Sequence, residues 1–494
     1  MSFGEIGVFA LVAYLVLLLG ISEVAARAKR DESPADHFLG GREFGVFVLF
    51  LTIYATAYSG NSLLGYPGEA YRTGFVFVKA TGFMMAIIVV FHLLAPALRP
   101  AAVQHGYVTP GDFLRDRFGA APAARALGLA VAVVMALSLC NFLIAQLKAM
   151  GEVASLVTGE LVPYAWGVVG LAAIILFYET RGGMRAVAWT DAAQGILMIF
   201  GLATLLVWLL AGSGGLATVT GDVAAIRPEA VAVPDASGVA NWFSTLLLMG
   251  LASAIYPQAI QRIFAASSGR VLAQSFALMT FMPLVTTLVV TLIGIAAIPR
   301  VTGLEGVASD GVMPVLLTEW AAEGTIGRVG AVLVFLGALA AIMSTADSCL
   351  LTLGSVMVRD VLGRTGNEAR QTYLGKLLAA LLLIAIVPIA LQRDVTLWRL
   401  IELKMELLIQ CVPAVLLAIH WRGQSAAATL AGLLAGTLFA GSATLSGVTQ
   451  LGGIHAGVVG LGLNLGVVVA GSLASLRSLR AGVGRALPAA QERS

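Results

Sequence analysis

Apolar runs of about twenty residues, joined by short polar hinges, recur along nearly the whole chain. That is the length a helix needs to cross about 30 Å of hydrocarbon at about 1.5 Å per residue. The runs fall near 5–24, 45–70, 74–98, 126–148, 161–178, 187–211, 241–264, 272–298, 329–356, 374–391, 396–420, 425–445 and 455–475. They predict an all-α polytopic membrane protein of about thirteen transmembrane helices. Composition agrees, with 59% hydrophobic and 12% charged residues and a mean hydropathy of +0.92. A soluble domain carries about 25% charged residues.

Basic residues accumulate in loops that stay cytoplasmic. With the N-terminus outside and the C-terminus inside, 21 Lys and Arg fall in inner segments and 6 in outer ones. The inner set includes Arg27, Lys29, Arg30, Arg181, Arg185, Arg262, Arg364 and Arg493, and the outer set is Arg72, Arg227, Arg300, Arg328, Arg393 and Arg399. Localisation in the cell inner (plasma) membrane follows. The first run, from Ile6 to Ile21, follows an acid and precedes no convincing cleavage site, so it reads as a retained span. The outer loops near 212–240 and 299–327 are too small for a core of their own, and the tail after about Ser475 reads as disordered.

A net charge of +3 gives no basis for a nucleic-acid partner. Cys140, Cys349 and Cys411 lack metal-like spacing and read as packing residues. His37, His92, His105, His420 and His455 are scattered, mostly at span ends, which leaves no constellation for an intramembrane enzyme.

Breaks in a membrane helix are tolerated where the freed backbone groups meet protein, water or an ion. The second span, TIYATAYSGNSLLGYPGEA, has small and hydroxyl residues at its middle and Ser59-Gly60 as an unwinding point. The seventh, LLLMGLASAIYPQAIQR, carries Pro257 followed by Gln258. These spans are five apart, and interrupted segments in matching places of two halves point to a binding site. Tyr54, Thr56, Ala57, Ser59, Asn61, Tyr256 and Gln258 would line it. In the ninth span Ser344, Asp347 and Ser348 share one helix face with Thr345 beside them. Ionisable groups at that depth are expensive. The plainer alternative is that the hydroxyls bond carbonyls one turn back. Hydroxyl and carbonyl oxygens without thiol or imidazole suit a hard monovalent cation, sodium.

The chain resembles the sodium/solute symporter family, whose members include proline, pantothenate, monocarboxylate, sialic acid and sugar carriers. The resemblance runs from about Phe38 to Trp421 and is carried by FLGGREFG, SGNSLLGYPGEAYRTG, YETRGGMRAVAWTDAAQG, PQAIQRIFAASS and MSTADSCLLTLGSVMVRD. It implies a five-plus-five inverted-repeat core of LeuT type. The domains are then 1–44, an accessory helix and cytoplasmic loop; 45–422, the ten-helix core; and 423–494, two accessory helices and a short tail. It implies a sodium site made of the carbonyls of Ala55, Tyr58 and Ala341 with the hydroxyls of Ser344 and Thr345. A second sodium at Asp191, Ser344, Asp347 and Ser348 is implied from some members, although Asp347 replaces a hydroxyl. Ala57 stands where proline-type members have an aspartate, and Tyr256-Pro257 where sugar carriers have Asn-Gln.

The expected function is sodium-coupled symport of a small organic carboxylate, such as a monocarboxylate, pantothenate or an amino acid. The anion would be held by the half-helix starting after Ser59-Gly60, with no arginine nearby. A proton-coupled or uncoupled carrier, or a membrane sensor of such a solute, is the alternative. Lys79 is expected to snorkel to the outer interface. Glu402, Lys404 and Glu406 are expected near the outer mouth, with Arg399 pairing with Glu402. Arg181–Arg185 reads as a tight cytoplasmic turn.

Overall fold

The computed structural model describes residues 2–27, 34–363 and 367–491. Of the basic residues used for orientation, Lys29, Arg30, Arg364 and Arg493 lie outside these ranges, as do the side chains of Arg27, Arg181, Arg480 and Arg485. Most of the expected turn at 181–185 therefore lies outside the described side chains. Its last residue, Arg185, pairs with Asp36 at 2.9 Å.

Among the described residues, nine helices are long and apolar enough to cross a membrane, and Ala236–Ala254 with Pro257–Ala265 forms a further span bent by 51°. The tally differs from the run count because breaks and continuations redistribute the runs. Val46–Ala57 is a short helix of its own, and the chain beyond its break continues into the 45-residue stretch Asn61–His105. The runs at 161–178 and 187–211 fall in one helical element, Tyr164–Gly212. Both long loops hold helices of their own, Leu216–Ile226 and Val312–Ala322.

Burial sorts the spans by role. In Thr325–Val361, 78% of the apolar window is buried inside the protein, and in Pro122–Val157, 61%. Phe3–Ile21 and Ala426–Leu445 bury only 28% and 33%, the share left to helices that face lipid on most sides. Central helices approach closely through small residues. A Cβ added at Gly354 would sit 2.9 Å from the carbonyl oxygen of Gly375, so only glycine admits that crossing.

Ion pairs gather at the two ends of the helical body. At the end expected inside, Arg359 meets Asp112 at 3.1 Å and Arg115 meets Asp360 at 3.3 Å. At the other, Arg393 meets Glu152 at 2.8 Å and Arg399 meets Glu402 at 3.0 Å, the pairing its i, i+3 spacing predicts. Lys79 is buried, and its ammonium donates to Asn241 Oδ1 at 2.6 Å, at the start of the seventh span.

Candidate functional site

The first break sets the site. The helix Val46–Ala57 ends where Tyr58 turns extended, with φ −104° and ψ 97°, and helical structure resumes at Asn61. In an unbroken helix Ser59 N–H and Gly60 N–H would donate to Ala55 and Thr56. Here Ser59 N–H turns to Ser62 Oγ at 3.4 Å and Gly60 N–H to Gln146 Oε1 at 2.9 Å. The carbonyls of Ala55 and Thr56 are thereby released from the helix ladder.

Ser344, on the central helix Thr325–Val356, reaches one of them. Its hydroxyl lies 3.0 Å from Ala55 O and 3.2 Å from Ala341 O, so three oxygens from two helices converge. Beside it Thr345 Oγ1 is buried with no hydrogen-bond partner. Buried polar atoms are rarely left so in native proteins, and an unpartnered oxygen next to a cluster of oxygens is what a cation site leaves when its ion is removed. Tyr58, whose carbonyl belongs to the expected set, is buried at the break itself.

A cavity of about 770 Å³, counting its open mouth, lies against the two breaks. Thr56, Ala57, Ser59, Asn61, Tyr256 and Gln258 line it as expected. Tyr54 does not; its hydroxyl pairs with Thr286 at 2.8 Å, on a face of the short helix turned away from the cavity. Tyr256 presents only its ring, since its hydroxyl donates to Ser138 O at 2.8 Å. Gln258 Oε1 accepts from Cys349 Sγ at 2.9 Å. Asn61, buried, has neither amide atom partnered.

Two cations also line the cavity, and one of them is an arginine where none was expected. Arg262 follows the break of the seventh span instead of lying in a cytoplasmic loop, and it is 1% exposed. Lys404 is 2% exposed, buried at the cavity wall and not at the outer mouth. Glu402 and Glu406 of the same helix point elsewhere, toward Arg399 and Thr444.

Arg262 reshapes the second set of oxygens. Its Nη2 lies 3.4 Å from Asp191 Oδ2 and also bonds Ser348 Oγ. Thr52 Oγ1 donates to the same Asp191 oxygen. Asp191 and Ser348 thus meet through a guanidinium, Ser344 turns to Ala55 and Ala341, and both oxygens of the buried Asp347 lack a partner. Of the four residues expected to hold a second sodium, Asp191 and Ser348 are both engaged by the Arg262 guanidinium.

Toward the end expected outside, Trp398 packs on Tyr66, Phe77 and Phe83 at centroid distances of 5.9, 5.0 and 6.1 Å. Tyr66 and Phe83 line the cavity, so this cluster roofs it. Asp310, in the loop above, accepts from Leu397 N–H at 2.7 Å and lies 3.8 Å from Arg72. Burial pushes its carboxyl up to about 7, against the opposing pull of Leu397 N–H and Arg72.

Known proteins resemble this chain in sequence and in fold. A family model described as the sodium:solute symporter family matches residues 37–436. An uncharacterised symporter of Bacillus subtilis is 25% identical over 96% of this chain and 99% of its own length. A sodium/pantothenate symporter of Haemophilus influenzae is 26% identical over 90% of each. The structure of a Na+-coupled sialic acid symporter superposes with a TM-score of 0.76 at 17% identity, covering 95% of this chain and 98% of that one. The fold is that of the LeuT-type transporters.

Proposed function

This chain belongs to the sodium:solute symporter family, and on that premise we propose that it carries a small organic carboxylate across the membrane on the sodium gradient. It is a multi-pass membrane transporter with sodium as the co-transported ion, not an enzyme. The observation that carries the reading is the convergence of Ala55 O, Ala341 O and Ser344 Oγ beside the unpartnered Thr345 hydroxyl. We assign sodium to these oxygens, with the carbonyl of Tyr58 completing the set.

Coupling follows from where the oxygens come from. Ala55 and Tyr58 belong to the broken helix, whereas Ala341, Ser344 and Thr345 belong to the central one. An ion that binds only when the two are apposed favours that arrangement over the alternative by its differential affinity. The same break supplies Thr56, Ala57, Ser59 and Asn61 to the cavity, so ion and solute stabilise one conformation. Since Arg262 already neutralises Asp191, one sodium per solute is the stoichiometry this site favours.

A proton-coupled carrier is a second reading, favoured by Asp347, whose buried carboxyl has no partner on either oxygen. Competition of uptake by acetate, pyruvate, lactate, pantothenate, proline and glucose tests the solute class. Inhibition by carboxylates is expected, and inhibition by glucose alone refutes it. The N-terminus is assigned to the outside and the C-terminus to the cytoplasm. Reporter fusions that place both ends on one side would contradict that assignment.

A further inference from the structure

Lys404 is the feature of the cavity that the sodium site leaves unexplained. It is 2% exposed, lies on the helix Leu397–Leu408 and lines the cavity. Among the described residues its ammonium makes no hydrogen bond and no ion pair. What it touches is aromatic: Nζ stands 3.1 Å from the centroid of Phe142 and 5.8 Å from that of Tyr256. A ring face attracts a cation, yet it replaces only part of the hydration an ammonium gives up on burial. The other charged lining residue, Arg262, is already engaged with Asp191 and Ser348.

The rest of the lining says what is missing. Among the cavity-lining residues there is no Asp or Glu, and most of the wall is apolar, including Met84, Ile87, Phe91, Met249 and Phe276. Asn61 offers both an amide donor and an acceptor that no protein group uses. A carboxylate would satisfy the ammonium and the Asn61 donor, and an apolar body would fill the rest. A zwitterion would bring a third cation into a cavity lined by two cations and no acid. A polyol would bring more hydroxyls than these few polar groups can meet.

We propose that Lys404, held in place by the Phe142 ring, is the anchor for the carboxylate of the solute, and that the cavity selects a single negative charge on a largely apolar body. The inference rests on the symport reading above, but it is separable from it by experiment. Lys404 acts on the solute's charge, whereas Ser344 and Thr345 act on sodium.

The test uses the full-length purified chain in detergent with sodium chloride and paired probes, butyrate against butyramide and phenylacetate against phenylacetamide, with proline as the zwitterion. Ligand-induced shifts of the thermal midpoint give apparent affinities. In the parent each acid binds at least tenfold more tightly than its amide and more tightly than proline. K404Q loses that preference, K404R retains it, and both retain the shift on exchanging choline chloride for sodium chloride, which shows they are folded. K404M repeats the test if glutamine is not tolerated. Equal binding of acid and amide by the parent, no binding of either acid, or an intact preference in K404Q or K404M would overturn the proposal. Loss of the sodium-dependent shift in the parent, with the acid preference intact, would refute sodium coupling and leave Lys404 as the anchor.

Discussion

Replacing Thr345 with Val should move stability and ion affinity in opposite directions. The hydroxyl is buried and unpartnered without an ion, and such a group costs about 1–3 kcal/mol of desolvation with nothing to offset it. Valine keeps the volume and removes that cost, so in choline chloride the variant should unfold at the parent's midpoint or a degree or two above it. With sodium the same hydroxyl becomes a ligand. A polar contact to a charged group is worth about 1.5–3 kcal/mol, so its loss should weaken sodium binding by about 10- to 150-fold. Ser344→Ala differs, because it also removes contacts to Ala55 O and Ala341 O and so loosens the apposed helices without sodium. Thermal unfolding across a sodium titration at constant ionic strength measures both effects. A Thr345→Val protein with the parent's sodium midpoint would refute the assignment of that oxygen, and a marked loss of stability in choline would refute the claim that it is unsatisfied.

Gly60→Ala should disable transport more than it lowers abundance. The added Cβ would lie 2.6 Å from Ile342 Cγ1 and 2.8 Å from Gln146 Oε1, prising the break away from the central helix at a cost of about 1–3 kcal/mol, read as a raised sodium requirement for uptake. Asp191→Asn should destabilise by about 3–5 kcal/mol because it leaves Arg262 a buried cation without its carboxylate; Asp191→Asn with Arg262→Met should recover much of that, and equal midpoints for the two would contradict the pairing. Asp310, whose carboxyl is raised to about 7 in the folded protein from 3.8, contributes stability present below about pH 4 and lost as pH rises through about 7. The midpoint of the parent relative to Asp310→Asn should therefore fall between pH 4 and 8, and parallel curves would refute it.

Much of this site was legible because its causes are local. Ser59-Gly60 and Tyr256-Pro257 disfavour helix through their own chemistry, and the chain leaves the helix at both places. The shared face of Ser344 and Ser348 follows from helical spacing alone. Tyr54 misled because membership of a broken span does not fix rotation: Ile53, Thr56 and Ala57 face the cavity, while residue 54 falls on the opposite face. Arg262 and Lys404 misled for a different reason. A cation close to the end of an apolar run reads as interfacial, and only the fold shows Arg262 meeting a carboxylate 71 residues away or Lys404 meeting the ring of Phe142. The hydrogen bond of Lys79 to Asn241 is likewise a contact that spacing could not reveal. Partners distant in sequence leave no periodic trace, so the depth of a lone charge is the property least accessible before the fold is known.

The account stands on sodium doing the work, and that is measured by reconstituting the protein in liposomes and following a radiolabelled carboxylate identified by competition. An inward sodium gradient should drive accumulation above the external concentration, and that accumulation should collapse when choline replaces sodium and fall steeply in Thr345→Val at the same sodium concentration. Accumulation that persists without sodium, or that follows an imposed pH gradient alone, would contradict it.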